Sequence, residues 1–464
     1  MTSCFLGSRS RRAAALGLLC AWASVVQANR ATAQQMVSDQ YGGGGGSVIS
    51  DGNVNPAGCE CGPQCSYGYG DYQCYGDGAG CMQNDGCNQC DNGNCHSSCD
   101  GWINAEYLIW RLSGTNLPPL VTSTPVGATT PPNVNQGSLA DPNATVISGG
   151  DSVNGDWRSG FRLSGGFWLD CCHDCGLGFD YFNLGNDDYN FTSPQDPSII
   201  TSRPFFNTAA AAPDAQLVSV PGGLNGTTSI HSGDDFEGAG ATFNKSIWRC
   251  CDCCQSSNLS VIGGYRFYRF DSDLTVIENL TVIPPNGSGA AVLGTTINVQ
   301  DSFRTRNDFN GGEIGLQCYK QRNCFWVDGM AKVGLGQNVR SVTINGQTIT
   351  DVPGGGIATN QGGLLTSSAT NIGHYRDTDF AVIPEFKAGI GCCLTKCCSV
   401  HAGYDCIIWP DVLRAAQTLP NNLAVDPANI PPVQPGGGAD PAFPGFHGTQ
   451  LVAHGIDASI QWQW

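Results

Sequence analysis

The sequence predicts an all-β chain, a transmembrane antiparallel β-barrel of about 10 strands with 10–12 possible, behind a Cys-rich irregular N-terminal segment. Three observations carry that prediction. The chain ends in GIDASIQWQW, where Ile456, Ala458, Ile460, Trp462 and Trp464 share one face and Asp457, Ser459, Gln461 and Gln463 the other. Successive side chains of a strand point to opposite faces, so this strand is wet on one side only. Beyond the N-terminus no run of about 20 apolar residues could form a spanning helix. The connections between alternating segments also take turns being short and long, which matches the periplasmic turns and external loops of outer-membrane barrels.

In chain order, Arg9, Arg11 and Arg12 precede the apolar run Ala13 to Val26, and Ala31-Thr32-Ala33 offers a small-x-small cleavage site. Residues 1–33 therefore read as a secretory signal peptide. Residues 34–100 form a Cys/Gly-rich segment in which nine cysteines lie between Cys59 and Cys99, with almost no aliphatic residue to build a core. Within it Cys87, Cys90, Cys95, His96 and Cys99 have spacing a structural Zn²⁺ site could use, but in an oxidising compartment disulfides are the expected fate. Of 25 cysteines, Cys4 and Cys20 leave with the leader. The remainder is odd, so at least one thiol is free or bonded to another chain.

The β-barrel domain occupies residues 101–464. WINAEYLIW from Trp102 opens it, and FRLSGGFWLD with GLGFDYF flanks Cys171, Cys172 and Cys175. ATFNKSIW and LSVIGGYRFYRF flank Cys250, Cys251, Cys253 and Cys254, with Lys245 on the wrong face of its strand. GGEIGLQC and FWVDGMAKVGLG flank Cys318 and Cys324. DFAVIPEFKAGIG and VHAGYDCIIW flank Cys392, Cys393, Cys397 and Cys398. With the terminal strand this makes ten. The cysteine clusters are expected at hairpin turns, bonded across a turn or to the N-terminal segment, since adjacent cysteines close a strained ring. The long links, about 112–156, 186–236, 281–302, 345–375 and 415–447, are rich in Pro, Asn, Thr and Gly and read as irregular surface loops.

In such a barrel apolar faces meet lipid and polar faces the lumen, because lipid cannot hydrogen-bond backbone groups and only closure satisfies them. The predicted lumen residues are Glu106, Arg162, Asp180, Arg266, Glu313, Asp328, Lys332, Glu385, Lys387 and Asp457. They form either a salt-bridged plug or a narrow, mildly cation-preferring path. Trp102, Trp110, Trp168, Trp248, Trp326 and Trp409 lie near strand ends, where girdle residues are expected. Trp462 and Trp464 give the final strand the aromatic ending of an assembly signal.

With 22 Lys+Arg against 39 Asp+Glu, nucleic-acid binding is disfavoured. No H-E-x-x-H, G-x-S-x-G or G-K-[ST] motif occurs, so no enzyme, catalytic residue, metal or cofactor is expected.

The stretch WINAEYLIWRLSGTNLPPLVTSTP, through Trp102, Ala105, Glu106, Tyr107, Leu108 and Leu117 to Thr122, resembles the planctomycete outer-membrane family of beta-barrel protein seven. GFRLSGGFWLD and the terminal strand fit as well, so the resemblance spans roughly residues 102–464. It implies an outer-membrane barrel of the bacterial envelope and adds little about substrate. The chain is thus expected to act as a narrow pore or a structural envelope anchor, with periplasmic turns held by disulfides. Its expected partners are outer-membrane lipid, the assembly machinery, and disulfide-linked or non-covalent envelope proteins. The alternative is a soluble, secreted, Cys-rich cell-wall or surface structural protein.

Overall fold

The computed structural model describes residues 101–464 apart from 171–172, 253–254, 285–291, 396 and 433–437. The predicted leader, the segment 34–100 and Cys171, Cys172, Cys253 and Cys254 lie outside the described residues.

Ten strands form the barrel: β1 (Gly101–Leu112), β2 (Trp157–Trp168), β3 (Cys175–Thr192), β4 (Leu224–Asp252) and β5 (Gln255–Val282), then β6 (Thr296–Arg322), β7 (Phe325–Val352), β8 (Gly373–Cys393), β9 (Cys398–Val412) and β10 (Thr449–Gln463). Sequential strands pair antiparallel, and the ring closes where β1 meets β10. Trp102 lies opposite Gln463 and Leu112 opposite Ala453. The seam extends to the final residue, since Trp464 N donates to Gly101 O at 3.1 Å and Gly101 N to Trp464 O at 3.2 Å. No helix among the described residues is long and apolar enough to cross a membrane, so the closed ladder satisfies the backbone.

Alternation sets the two faces. Ile103, Tyr107, Leu163, Phe179, Ile314, Val327, Ile456 and Ile460 stand exposed on the outside, whereas Asp457 and Ser459 are buried within. Lys245 does point outward, near the short-turn end, where its Nζ lies 3.2 Å from Cys175 Sγ. A long stem lets such a residue place its ammonium at the membrane surface.

The strands are longer than their sequence pattern suggests. β4 to β7 contain 29, 28, 27 and 28 residues, whereas crossing a bilayer takes about 9–11. Above a ring of outward ion pairs, Arg269 to Asp308 at 2.7 Å and Arg306 to Asp271 at 2.8 Å, the strands continue and their polarity reverses. Leu274, Val276, Phe303, Val342 and Ile344 now point inward and are buried, while Asp273, Thr275, Thr343 and Asn345 take the outer face.

The long links are consequently not the irregular surface loops that composition suggests. Much of 186–236, 281–302 and 345–375 is strand, and Val121–Pro125, Thr145–Ser148, Ile199–Asn207, Ala212–Ser219 and Ala424–Val425 form a second small sheet. Leu117, Leu120, Phe205, Leu364, Leu413, Leu419 and Leu423 from these links pack on the inward face of the projecting strands in one apolar cluster. The physical reason is that each strand projection exposes an apolar inner face that water would otherwise meet. Cys318 also departs from the turn placement: β6 runs on to Arg322, and the Cys318 thiol donates across to Gly329 O at 3.4 Å.

One buried ion group clasps this cap to the barrel. Arg203 of the Ile199–Asn207 strand donates to Glu278 on β5 and, at 3.0 Å, to Asp301 on β6. All three side chains are fully buried. Gln216 also donates to Glu278 at 2.9 Å, and Thr366 to Asp301 at 2.7 Å. Replacing Arg203 by Met leaves two buried carboxylates without their counter-charge, a loss of roughly 3–5 kcal/mol. R203M should therefore become sensitive to protease within 193–223 while keeping heat-modifiable gel migration; unchanged cleavage would refute the clasp.

Candidate functional site in the barrel lumen

The structure places all ten sequence-predicted lumen residues on the inward register and gathers them into linked ion groups. Arg162 Nη1 donates to Glu106 at 2.9 Å and to Asp405 at 2.7 Å, and Lys387 Nζ lies 3.2 Å from Glu106 and 3.8 Å from Asp457. Opposite them, Arg266 bridges Asp180 at 2.6 Å and Glu313 at 2.8 Å. Lys332 sits 3.2 Å from both Glu313 and Glu385. His401 joins Asp328 at 3.0 Å to Asp457 at 3.4 Å. Glycines make room for these long side chains: a Cβ on Gly240 would fall 2.5 Å from the Arg266 guanidinium carbon.

Directly above lies a layer that sequence reasoning missed. Trp110, Phe182, Phe236, Tyr268, Phe309 and Trp409 are all fully buried. Their ring centroids approach to 5.2–6.3 Å in tilted and edge-to-face contacts, the geometry the aromatic quadrupole favours. Arg162 couples the two layers, its guanidinium 5.2 Å from the Trp110 ring centre and 5.6 Å from that of Phe182. Tyr268 couples them again, donating to Glu385 at 2.5 Å.

Below the disc a cavity of about 200 Å³ remains, bordered by Trp102, Trp168, Arg162, Asp180, Arg266 and Lys332. This corrects the expected tryptophan girdle. Trp110 and Trp409 are in the disc, Trp102 and Trp168 line the cavity, and Trp326 is on the lumen register of β7, between outward Phe325 and Val327. Of those six, Trp248 is the exposed one, and Trp157, Trp462 and Trp464 are exposed with it. Alternation alone places Trp102 and Trp110 opposite Ile103 and Ile109, which was the available signal. The same parity identifies His401 and Asp405 in VHAGYDCIIW.

Glu106, Asp405 and Asp457 offer oxygens within 4.8 Å of one another, the one such grouping among the described residues. Arg162 and Lys387 already occupy its approaches, so these carboxylates are explained as partners of the two cations.

Above the disc, beyond the membrane-spanning part, Arg158 donates to Asp234 and lies 3.2 Å from Asp187. Asn154 backs this pair by accepting from Arg158 at 3.0 Å through its carbonyl.

A closed ten-strand ring with an apolar belt, a charged lumen and one end of short turns defines the class: this is an outer-membrane β-barrel. The chain belongs to the family described as "Putative beta barrel porin-7 (BBP7)", whose model matches residues 102–464. Similar solved structures include the outer membrane protease OmpT from Escherichia coli, at 10% identity over 78% of this chain and 97% of that chain, TM-score 0.32. The P. putida toluene transporter TodX has 7% identity over 78% of this chain and 89% of that chain, TM-score 0.20. A Pseudomonas aeruginosa FadL homologue has 8% identity over 78% and 89%, TM-score 0.16. No curated protein sequence matches the chain.

Burial pushes the Asp234 carboxyl up to about 6 despite Arg158 beside it. The folded chain therefore holds a proton that the unfolded chain releases between the ordinary carboxylate range and about 6, and lowering pH through that window stabilises the fold. Urea unfolding of lipid-refolded protein should shift to higher urea between about pH 7 and about pH 4.5. Asp234→Asn should shrink that shift, and equal shifts in both proteins would exclude Asp234 as its source.

Proposed function

We propose that this barrel is a structural anchor of the outer membrane whose lumen is shut, exported through its N-terminal leader and without enzymatic activity. The observation that carries this reading is the continuous seal of fully buried aromatic rings across the lumen, backed by an ion network with partners on both sides of the barrel. A hydrated ion moving through would have to separate charge pairs held in a low-dielectric interior and then displace close-packed rings, both costly steps. The narrow cation-preferring path needs a gap that this packing fills.

The cysteines support an anchor that is braced at its periplasmic end. Cys324, at the β6–β7 turn, and Cys392, at the end of β8, are free thiols on adjoining hairpins, where Cys392 pairs with Phe325, the residue after Cys324. Their hairpins are joined there by Cys393 N donating to Cys324 O at 2.9 Å. Loss of two protons and two electrons to a thiol oxidant of the compartment would join these sulfurs and staple adjacent hairpins.

In planar bilayers the purified protein should give no discrete conductance steps, while Phe236→Ala/Trp409→Ala combined with Arg203→Met, which opens the disc and unfastens the cap above it, should give them. Steps from the unaltered protein would overturn the shut lumen. Peptide mapping without reductant should recover a Cys324–Cys392 cross-link from envelope-derived protein. Recovery of both as alkylatable thiols would remove the staple.

A further inference from the structure

On the outer face of β6 to β9, near the short-turn end, the register aligns two rows of side chains across four strands. One runs Lys320, Val327, Ile390, Ala402; the other Arg322, Phe325, Cys392, Val400. Between the exposed side chains of Phe325, Val327 and Ile390 lies a depression of about 700 Å³ whose surface is almost wholly hydrocarbon. Lys320 and Arg322 border it on the β6 side. Among the described residues neither cation forms an ion pair. Two outward arginines toward the other end of the barrel do, Arg269 with Asp308 at 2.7 Å and Arg306 with Asp271 at 2.8 Å.

We propose that this groove binds one glycerophospholipid of the periplasmic leaflet, with an acyl chain in the depression and its phosphate held between Lys320 and Arg322. The chemistry selects an anionic headgroup. Two cations with no protein counter-charge attract a net negative lipid, and the ammonium of a zwitterionic headgroup would add a third positive charge beside them. The guanidinium supplies the forked donors that match phosphate oxygens, and the lysine supplies a second charge on a flexible stem. The apolar rows fix where the chain lies, which bulk lipid on a featureless belt would not require. The inference rests on the outer-membrane placement and is independent of whether the lumen is shut, so the conductance experiment and this one fail separately.

The test is native mass spectrometry of the full-length protein extracted from vesicles of phosphatidylethanolamine containing roughly a quarter phosphatidylglycerol. The expected result is one retained phosphatidylglycerol per barrel, in excess over phosphatidylethanolamine. Lys320→Gln/Arg322→Gln should lower that bound fraction by about tenfold, the scale of one to two charge-assisted hydrogen bonds. Ile390→Trp, which fills the depression and leaves both cations, should lower it too. Lys245→Gln, on the same outer face but two strands away on β4 and outside the groove, should not change it. Heat-modifiable migration of each variant confirms that the ring is closed. Equal retention in the double variant, or no preference between the two lipids, overturns the proposal. A two-chain species that loses its lipid and buries the groove also overturns it, assigning the surface to a second copy.

Discussion

Everything in this molecule depends on the backbone hydrogen bonds that lipid cannot replace. Each spanning strand presents a row of N–H and C=O groups, and the only arrangement that satisfies them all without helices is a ring with no edge. The seam between β1 and β10 is therefore a condition for the other strands to exist in a membrane. It is formed by residues from opposite ends of the described chain, Gly101 to Leu112 against Ala453 to Trp464. Closure at this strand number then fixes the width of the interior, which side chains can fill.

That filled interior explains the arrangement of charge. The lumen is too narrow to hydrate its ionisable groups and too polar by sequence to be an apolar core, so its cations are shared between carboxylates: Arg162 by two, Arg266 by two, Lys332 by two. A buried ion pair is weak evidence for stability in itself, since desolvation offsets much of its attraction. Its consequence here is geometric. Two of these cations tie strands that are not neighbours in the sheet, Arg162 on β2 with Asp405 on β9 and Arg266 on β5 with Asp180 on β3. Such cross-lumen ties hold the ring at one diameter, and the aromatic disc packs to native density above them.

The strand count, the two faces and the ten charged lumen residues were legible because a period of two reads the same in any strand with one wet face. Strand length was not legible, and the reason is specific. Beyond the membrane the outside becomes wet and the inside dry, so the alternation of Val342, Ile344 and their neighbours continues in the opposite phase to that of Val327, Ala331 and Val333. A reader following one phase sees the pattern end where it inverts. The aromatic disc was lost to the same cause: Phe236, Tyr268 and Phe309 sit where the inner face turns from charged to apolar, so they look like interruptions. Nearness to strand ends points Trp110 and Trp409 to the girdle, whereas their parity with Leu108 and Ile407 places them inside. The small sheet above the barrel left no signal at all, because its strands are short and its partners lie far apart in sequence.

The inversion also bears on what the barrel does. A strand that keeps one face polar throughout can line a continuous aqueous channel, as lumen-facing residues of wide barrels do. Here the inner face is polar for one membrane thickness and then apolar, first in the rings of the disc and then in the cluster around Leu274, Phe303 and Ile344 that receives the folded links. Water has a favourable surface to follow only up to the Arg162 and Arg266 groups. Arg203, fully buried between Glu278 and Asp301, fastens the cap that covers the remainder. Opening the lumen therefore requires two packed layers to yield, one within the ring and one above it, and these layers are held by different strands and different charges. A single loop movement would leave the disc in place, and a rearranged disc would still meet the cap. The fold thus favours a rigid shaft whose accessible surfaces are the outer faces of its projecting strands, its periplasmic rim and its lipid belt.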